Sequence, residues 1–289
     1  MVEFFDPLTQ TNLSYHIDKN LVVKWDKLKD GRLIKKDEDR VYLVDGRERT
    51  GKSVFTFQQA KYIDPGFNLS RVCFSPEEFL HAIRTAGKGE VIVFDEAFRG
   101  LSSKATQSKV NKKIVQAMME MGQRNLVIFI VLPTFFLLEM YAAVLRSNCL
   151  FHVYKDKNGD RRFRIYNYNQ KSLLYKVGKK KGFSYSFPKV KLRGRFFNKY
   201  AIDEASYRDK KDKSFQKTDI VVEEEESRIS LERKIALVNW FLALKHYKKY
   251  SQEDFCQAVK GLGMNFDQTL ISKMVVEVRK AGRIMNYEL

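Results

Sequence analysis

The chain has 289 residues and a formal net charge of +18, from 53 Lys and Arg against 35 Asp and Glu. With 44% hydrophobic and 13% aromatic residues it can fill a real core, and with only 5 Pro and 15 Gly it is neither globally disordered nor collagen-like nor Pro-rich. Cys73, Cys149 and Cys256 make no CxxC, and His16, His81, His152 and His246 make no metal-spaced cluster, so neither a disulfide framework nor a zinc knot is on offer.

The opening residues, MVEFFDPLTQ, lack the basic and apolar regions of a signal peptide, and the expectation is a soluble protein of the cytoplasm. Val41 to Asp45 reads as a strand that enters a Gly-rich turn and a helix from about Lys52 to Tyr62. Pro65-Gly66 breaks the chain, and Arg71 to Ser75 forms a short strand. Ser75-Pro76-Glu77-Glu78 then starts a helix with an N-cap serine, proline at the first position and acids in the first turn; Gly87 and Gly89 end it. Strand 91–94 follows, then a polar, basic segment from Arg99 to Lys113 and a helix from about Lys109 to Met121. On its composition the segment suits a passive surface loop. From Leu126 to Leu145 the only charge is Glu139, a length that could span a bilayer. Pro133 interrupts it after a β-branched run, so it reads instead as strand 126–132, a turn at Pro133-Thr134 and helix 135–146, with no transmembrane segment. Residues 150–155 and 161–167 flank Lys157-Asn158-Gly159, an Asn-Gly hairpin signal.

Strands alternating with helices predict an α/β fold with a mostly parallel, doubly covered sheet. The core is expected over residues 1–175 and a basic arm or linker over 176–227, ending in Glu223 to Glu226. A small helical module is expected over 228–289, with helices near 229–247, 251–260 and 267–281. Ser251-Gln-Glu-Asp254 resembles a capping box, and Gly261-Leu-Gly263 stops that helix. Three short helices with a basic last one suit a helix-turn-helix or winged-helix module, or plain helical packing.

The sharpest signal is Gly46-Arg47-Glu48-Arg49-Thr50-Gly51-Lys52-Ser53, followed by Val54, which satisfies G-x-x-x-x-G-K-[ST]. Glycines let the backbone curl so that successive N–H groups and a helix N-terminus meet phosphate oxygens. Lys52 reaches the β- and γ-phosphates and the Ser53 hydroxyl coordinates Mg²⁺. The motif follows an apolar strand and opens a helix, as that mechanism requires, so it is read as a P-loop for ATP. A second apolar strand, Val91 to Phe94, ends in Asp95-Glu96. Asp95 is placed to hold Mg²⁺ through its water shell and Glu96 to polarise the attacking water.

These motifs resemble the RecA-like P-loop ATPases with an added catalytic glutamate. Together with Gln123-Arg124-Asn125 ahead of the apolar strand Leu126 to Leu132, they resemble the FtsK–HerA branch in particular. That branch includes DNA-pumping motors, conjugation ATPases, viral genome-packaging ATPases and zonula-occludens-toxin-like phage proteins. The resemblance covers about residues 38 to 155. It implies a three-layer P-loop NTPase sandwich and a ring, usually a hexamer, with ATP between subunits. It also implies that Arg124 acts as an arginine finger in trans, with Arg146 and Arg99 in reserve. The branch often carries a glutamine sensor at the end of this strand; here Thr134 is the nearest polar residue. The implied task is movement or packaging of DNA for a virus or mobile element. A helicase, a nucleotide-gated DNA-binding or assembly protein, and a membrane-associated secretion or morphogenesis ATPase are the alternatives.

The charge itself points to a polyanion. Residues 155 to 217 hold 20 Lys and Arg against 6 Asp and Glu, interleaved with Tyr166, Tyr168, Tyr175, Phe183, Tyr185, Phe187, Phe196, Phe197 and Tyr200. Basic groups release counterions from phosphates and flat rings stack on bases, so DNA is the expected partner, with an anionic membrane surface as competitor.

Overall fold

The computed structural model describes residues 1–6, 10–29, 32–98, 104–214, 216, 235, 237–241, 251–261 and 268–280. The chain divides into two compact units, Met1–Ser214 and Phe215–Leu289.

In the first unit the apolar runs of the sequence become the centre of a seven-stranded sheet. In chain order its strands are β3 (Arg40–Asp45), β4 (Val72–Cys73), β5 (Val91–Phe94), β6 (Val127–Val131), β7 (Cys149–Lys155), β8 (Arg161–Tyr166) and β9 (Arg193–Arg195), and across the sheet they stand β4-β5-β6-β3-β7-β8-β9. The first five are parallel; β8 and β9 add antiparallel at one side. β1 (Val2–Asp6) and β2 (Thr11–Tyr15) form a separate two-stranded sheet.

Continuous Val, Ile and Phe runs suit strands covered on both faces. Val41, Leu43, Ile92, Phe94, Ile128 and Ile130 face one core, shared with α4 (Pro76–Thr85), α5 (Lys104–Glu120) and the turns at 135–146. Tyr42, Val44, Val91, Val93, Phe129 and Val131 face the other, shared with α1 (Lys19–Asp26) and α3 (Lys52–Ile63); a short α2 (Arg32–Lys35) precedes β3. This alternation makes three layers.

α3 is buried on every side from Val54 to Ile63. Its polar side chains are held there by partners, Gln58 Oε1 alone among their described buried atoms lacking one. The Trp25 indole donates to Gln59 Oε1 at 2.8 Å, and the Lys61 ammonium lies 2.7 Å from Asp6 Oδ1. Gln58 Nε2 donates to the carbonyls of Phe197 and Lys199 at 2.8 and 2.7 Å.

Three local expectations change. The helix after the Asp-Glu motif already begins at Lys104, so the polar segment beyond 103 is helical rather than a loop. The helix expected over 135–146 is a 3-10 turn at Phe135–Leu137 and a π-turn at Tyr141–Arg146. The expected basic arm is structured as far as 214: after α6 (Tyr168–Leu173), which closes the expected core, β9 and a helix α7 over 204–214 both belong to the first unit. Arg99 and the acidic run 223–226 lie outside the described residues.

In the second unit, helical residues 237–241, α8 (Gln252–Gly261) and α9 (Gln268–Lys280) share small cores around Phe241, Phe255 and Ile271 and around Val238 and Met274. The capping box forms with aspartate: Asp254 N–H donates to Ser251 Oγ at 3.1 Å, and Ser251 N–H donates to Asp254 Oδ2 at 2.9 Å. Of the helix expected over 229–247, only 235 and 237–241 are described. Among the described residues no helix is long and apolar enough to cross a membrane.

Candidate active site

The site grows from the carboxyl edge of the parallel strands. β3 lies between β6 and β7 and ends at the fully buried Asp45. Gly46 then turns at φ +145°, and a Cβ there would lie 2.0 Å from the Val153 carbonyl oxygen of β7, so only glycine lets the loop pass. Gly51 sits at φ +95° as the N-cap of α3, whose first turn presents its unpaired N–H groups to the loop. Arg47, Glu48 and Arg49 are exposed. Thr50 Oγ1 donates to the Arg47 carbonyl at 2.8 Å and pins the curl. The Lys52 ammonium lies back on the loop, 2.9 and 3.0 Å from the carbonyls of Gly46 and Arg47. Burial lowers its pKa, while Glu96, Asp95 and Asp45 counter that. Val54 faces the core.

β6 separates β5 from β3, so Asp95 meets the P-loop across one intervening strand. Ser53 Oγ donates to Asp95 Oδ1 at 3.2 Å, and the Tyr207 hydroxyl of α7 donates to Asp95 Oδ2 at 2.7 Å. Asp95 is wholly buried, which pushes its carboxyl pKa up; the Lys211 charge and the Tyr207 hydrogen bond pull it back. Glu96 follows at φ +55°, a left-handed backbone that costs a non-glycine residue energy and that concentrates at functional sites. Its carboxylate forms an ion pair with Lys211 of α7.

Behind the loop lies a second network. Asp45 accepts hydrogen bonds from the Phe135 N–H at 2.8 Å and from the Tyr185 hydroxyl, and sits 2.8 Å from His152 Nδ1. The His152 and Tyr185 rings stack 3.9 Å apart, and Thr134 Oγ1 lies 3.0 Å from the Tyr185 hydroxyl. Thr134 is thereby linked through Tyr185 and Asp45 to the strand that carries the P-loop. Burial and Asp45 both raise the Tyr185 pKa, which keeps it a donor.

The arginine candidates stand elsewhere. Arg124 precedes β6, at the amino edge of the sheet, and donates to the Ala86 carbonyl at 2.6 Å. Arg146 is at that same edge, paired with Asp39 and bonded to the Met118 carbonyl at 3.2 Å. The structure thus brings together Gly46, Gly51, Lys52, Ser53, Asp95 and Glu96, and leaves Arg124 and Arg146 apart from them.

Sequence reasoning passed over Asp45, His152, Tyr207 and Lys211 as parts of a site, and set Tyr185 among the base-stacking rings, whereas its hydroxyl donates to Asp45. A signal existed for α7: Asp203 is a good N-cap, and its Oδ2 accepts from the Ser206 N–H at 2.7 Å. Nothing in the spacing shows that this helix packs on Asp95.

The basic stretch also acquires a shape. The register sets Arg162 opposite Arg195 and Arg164 opposite Arg193, so four arginines share one face of the β8–β9 ladder. Arg164 lies over the Tyr154 ring at 4.6 Å and Arg195 over Phe197 at 5.8 Å. Three of these arginines line a cleft of about 440 Å³ beside the start of α1. Phe196 and Tyr166 are buried in the fold, whereas Tyr168, Phe183, Phe187 and Phe197 are exposed.

The donor set fits magnesium. A serine hydroxyl and a carboxylate, 3.2 Å apart at the mouth of an N–H-lined loop, are hard oxygen ligands. Among the described residues no group of three His, Cys, Asp or Glu side chains makes a protein-only cage, so the ion would arrive with phosphates.

No family model matches the chain, and no curated protein matches it. Among solved structures it is similar to the N-terminal domain of zonular occludens toxin from Neisseria meningitidis, at 14% identity over 45% of this chain and 84% of that one, TM-score 0.29. It is also similar to a second solved structure, an ATPase domain, at 12% identity over 52% of this chain and 90% of that one, TM-score 0.27. A third is the flagellar accessory protein FlaH from Methanocaldococcus jannaschii, at 13% identity over 44% and 77%, TM-score 0.26. With its P-loop motif between β3 and α3 and its acidic pair on the same edge of a mostly parallel sheet, the chain has the three-layer α/β arrangement of a P-loop NTPase fold.

Proposed function

We propose that this chain is a magnesium-dependent ATPase that couples hydrolysis to the movement or packaging of DNA for a virus or mobile element, in the cytoplasm. The observation that carries the ATPase reading is the meeting of Ser53 Oγ and Asp95 Oδ1 at the P-loop mouth, with Glu96 beside them. The loop N–H groups bind the phosphates. Lys52, held by two carbonyls, is placed to turn to the β- and γ-phosphates, and Glu96 orients and polarises the attacking water. Magnesium, when bound, neutralises charge developing on the phosphoryl oxygens.

In this reading Arg124, at the amino edge, serves the neighbouring subunit of a ring, expected to be a hexamer. Thr134 and Tyr185 link the end of β6 to Asp45, in the position of a sensor.

The DNA part of the reading rests on the arginine face of β8 and β9. Like charges directly opposite on a ladder repel, and a phosphate backbone relieves that cost. Arginine planes beside Tyr154 and Phe197 suit phosphates and bases better than a flat lipid surface.

ATP turnover with and without single- and double-stranded DNA, across protein concentrations, tests the reading. DNA should raise turnover several-fold, and specific activity should climb as subunits assemble. Arg193→Ala with Arg195→Ala should weaken DNA binding and reduce the salt slope by about 2. Turnover indifferent to DNA rejects movement of DNA and leaves a nucleotide-gated assembly protein.

A further inference from the structure

One helix reaches both acids of the site. Tyr207 and Lys211 stand four residues apart on α7, hence on one face of it. Tyr207 contacts Asp95 and Lys211 contacts Glu96, the two carboxylates that directly follow β5. The Lys211 ammonium also lies 3.4 Å from the Tyr207 hydroxyl, so the two form a single cap.

The helix is held firmly enough to place them. Its Lys210 ammonium lies 3.0 Å from the Leu69 carbonyl and 2.5 Å from that of Val72, at the start of β4. The Tyr207 ring packs edge-on against Phe57 of α3 at 4.9 Å and tilts against Phe74 at 6.0 Å. Tyr207 is thereby buried to 3% exposure and wedged between the P-loop helix and the acidic strand.

The division of labour on Asp95 follows from its two oxygens. Oδ1 faces Ser53, the other oxygen ligand, while Oδ2 is taken by Tyr207. A carboxylate with one oxygen fixed by a phenol cannot rotate away from its partner, and a donor that orients a ligand from behind typically counts roughly ten- to a hundredfold in metal affinity. Glu96 has a parallel need. Its backbone is in a left-handed conformation that gives its side chain no regular strand or helix to lean on, and Lys211 supplies a fixed charge for the carboxylate.

We propose that Tyr207 and Lys211 are positioning residues of the ATP site: Tyr207 orients Asp95 toward Ser53, and Lys211 holds Glu96 where it faces the attacking water. The inference rests on the ATPase reading of the site. It assigns a mechanical role to residues well beyond the P-loop and the Asp-Glu strand, at the end of the first unit.

The fluorescent nucleotide mant-ADP, titrated against the full chain at increasing magnesium chloride, reads Tyr207 directly. Tyr207→Phe keeps the ring and removes only the hydroxyl, so melting should shift by a few degrees at most. The magnesium needed for half-maximal binding should rise about tenfold. Lys211→Met should lower kcat about tenfold or more, with KM for ATP and mant-ADP affinity within about twofold, and Lys211→Arg should restore most of kcat. An unchanged magnesium requirement in Tyr207→Phe, or an unchanged or raised kcat in Lys211→Met, overturns the proposal. A wild-type chain that binds no mant-ADP removes the ATPase reading and this inference with it. A wild type that binds and turns over ATP, with both variants matching it, removes the inference alone.

Discussion

The two edges of the parallel sheet are both rich in charge, and they use it in opposite ways. At the carboxyl edge, Lys52, Asp95, Glu96 and Lys211 converge around one space at the mouth of the P-loop. At the amino edge, Arg146 pairs with Asp39, the Asn125 amide donates to Asp37 at 2.9 Å, and Arg124 is spent on a carbonyl. There Lys171 is fully buried, 3.1 and 3.2 Å from the carbonyls of Ala143 and Val144 and 2.6 Å from that of Ser147. Charges of the first kind converge on a place where an anion can bind; those of the second complete one another and the ends of the backbone. Arg124 apart, whose proposed role lies in a neighbouring subunit, the contrast separates residues whose loss should silence the protein from residues whose loss should unfold it.

The greatest loss is expected at the carboxyl edge. Lys52→Ala and Glu96→Gln should each lower ATP turnover by about a hundredfold or more, with unfolding midpoints in urea close to wild type. If either variant instead unfolds early, the distinction between the two edges collapses.

Lys171 comes next. Burial lowers its pKa from 10.5 to about 8. Between those values the unfolded chain binds the extra proton, so wild-type stability rises with pH through that window. Measured as urea stability relative to Lys171→Met, the gain should reach about 3 kcal/mol by the upper end. A difference that stays flat with pH means Lys171 is not confined as described.

Asp45 probes the distinction more finely, because it is structural in kind yet stands at the carboxyl edge. Asp45→Asn removes a fully buried charged acceptor from Phe135, Tyr185 and His152 and should cost about 2–3 kcal/mol in urea unfolding. It should also reduce turnover, because Gly46 follows it directly. A stable but inactive Asp45→Asn would move this network wholly to the catalytic side.

The mildest consequence belongs to Arg146. Arg146→Ala leaves Asp39 unpaired at partial burial, and should cost about 1–2 kcal/mol with little change in turnover per folded molecule. A loss of turnover that appears only in assembled protein would instead make Arg146, rather than Arg124, the finger.

Much of the frame was legible because it rests on local chemistry. Gly46 and Gly51 are required by backbone torsions, and the run from Val91 to Phe94 is apolar because a parallel strand is covered on both faces. Ser75 and Pro76 begin α4 as read, with the Glu78 N–H donating to Ser75 Oγ at 3.1 Å. The hairpin at Asn158-Gly159 turns with Gly159 at φ +83°. The stretch from 176 to 214 was misread for an equally physical reason: its elements are short, and their apolar residues are spaced to fill gaps in another layer rather than to make a face of their own.

The P-loop, the acidic pair and the α/β alternation could be read before any fold was known, since each depends on residues near one another in the chain. The closing of Tyr185 on Asp45, and the reach of α7 that brings Tyr207 and Lys211 to Asp95 and Glu96, could not: those contacts span 140, 112 and 115 positions. Periodicity and caps report how a segment folds on itself. Which buried carboxylate a distant phenol or ammonium will satisfy depends on how the layers pack, where an unpartnered charge costs too much to leave alone.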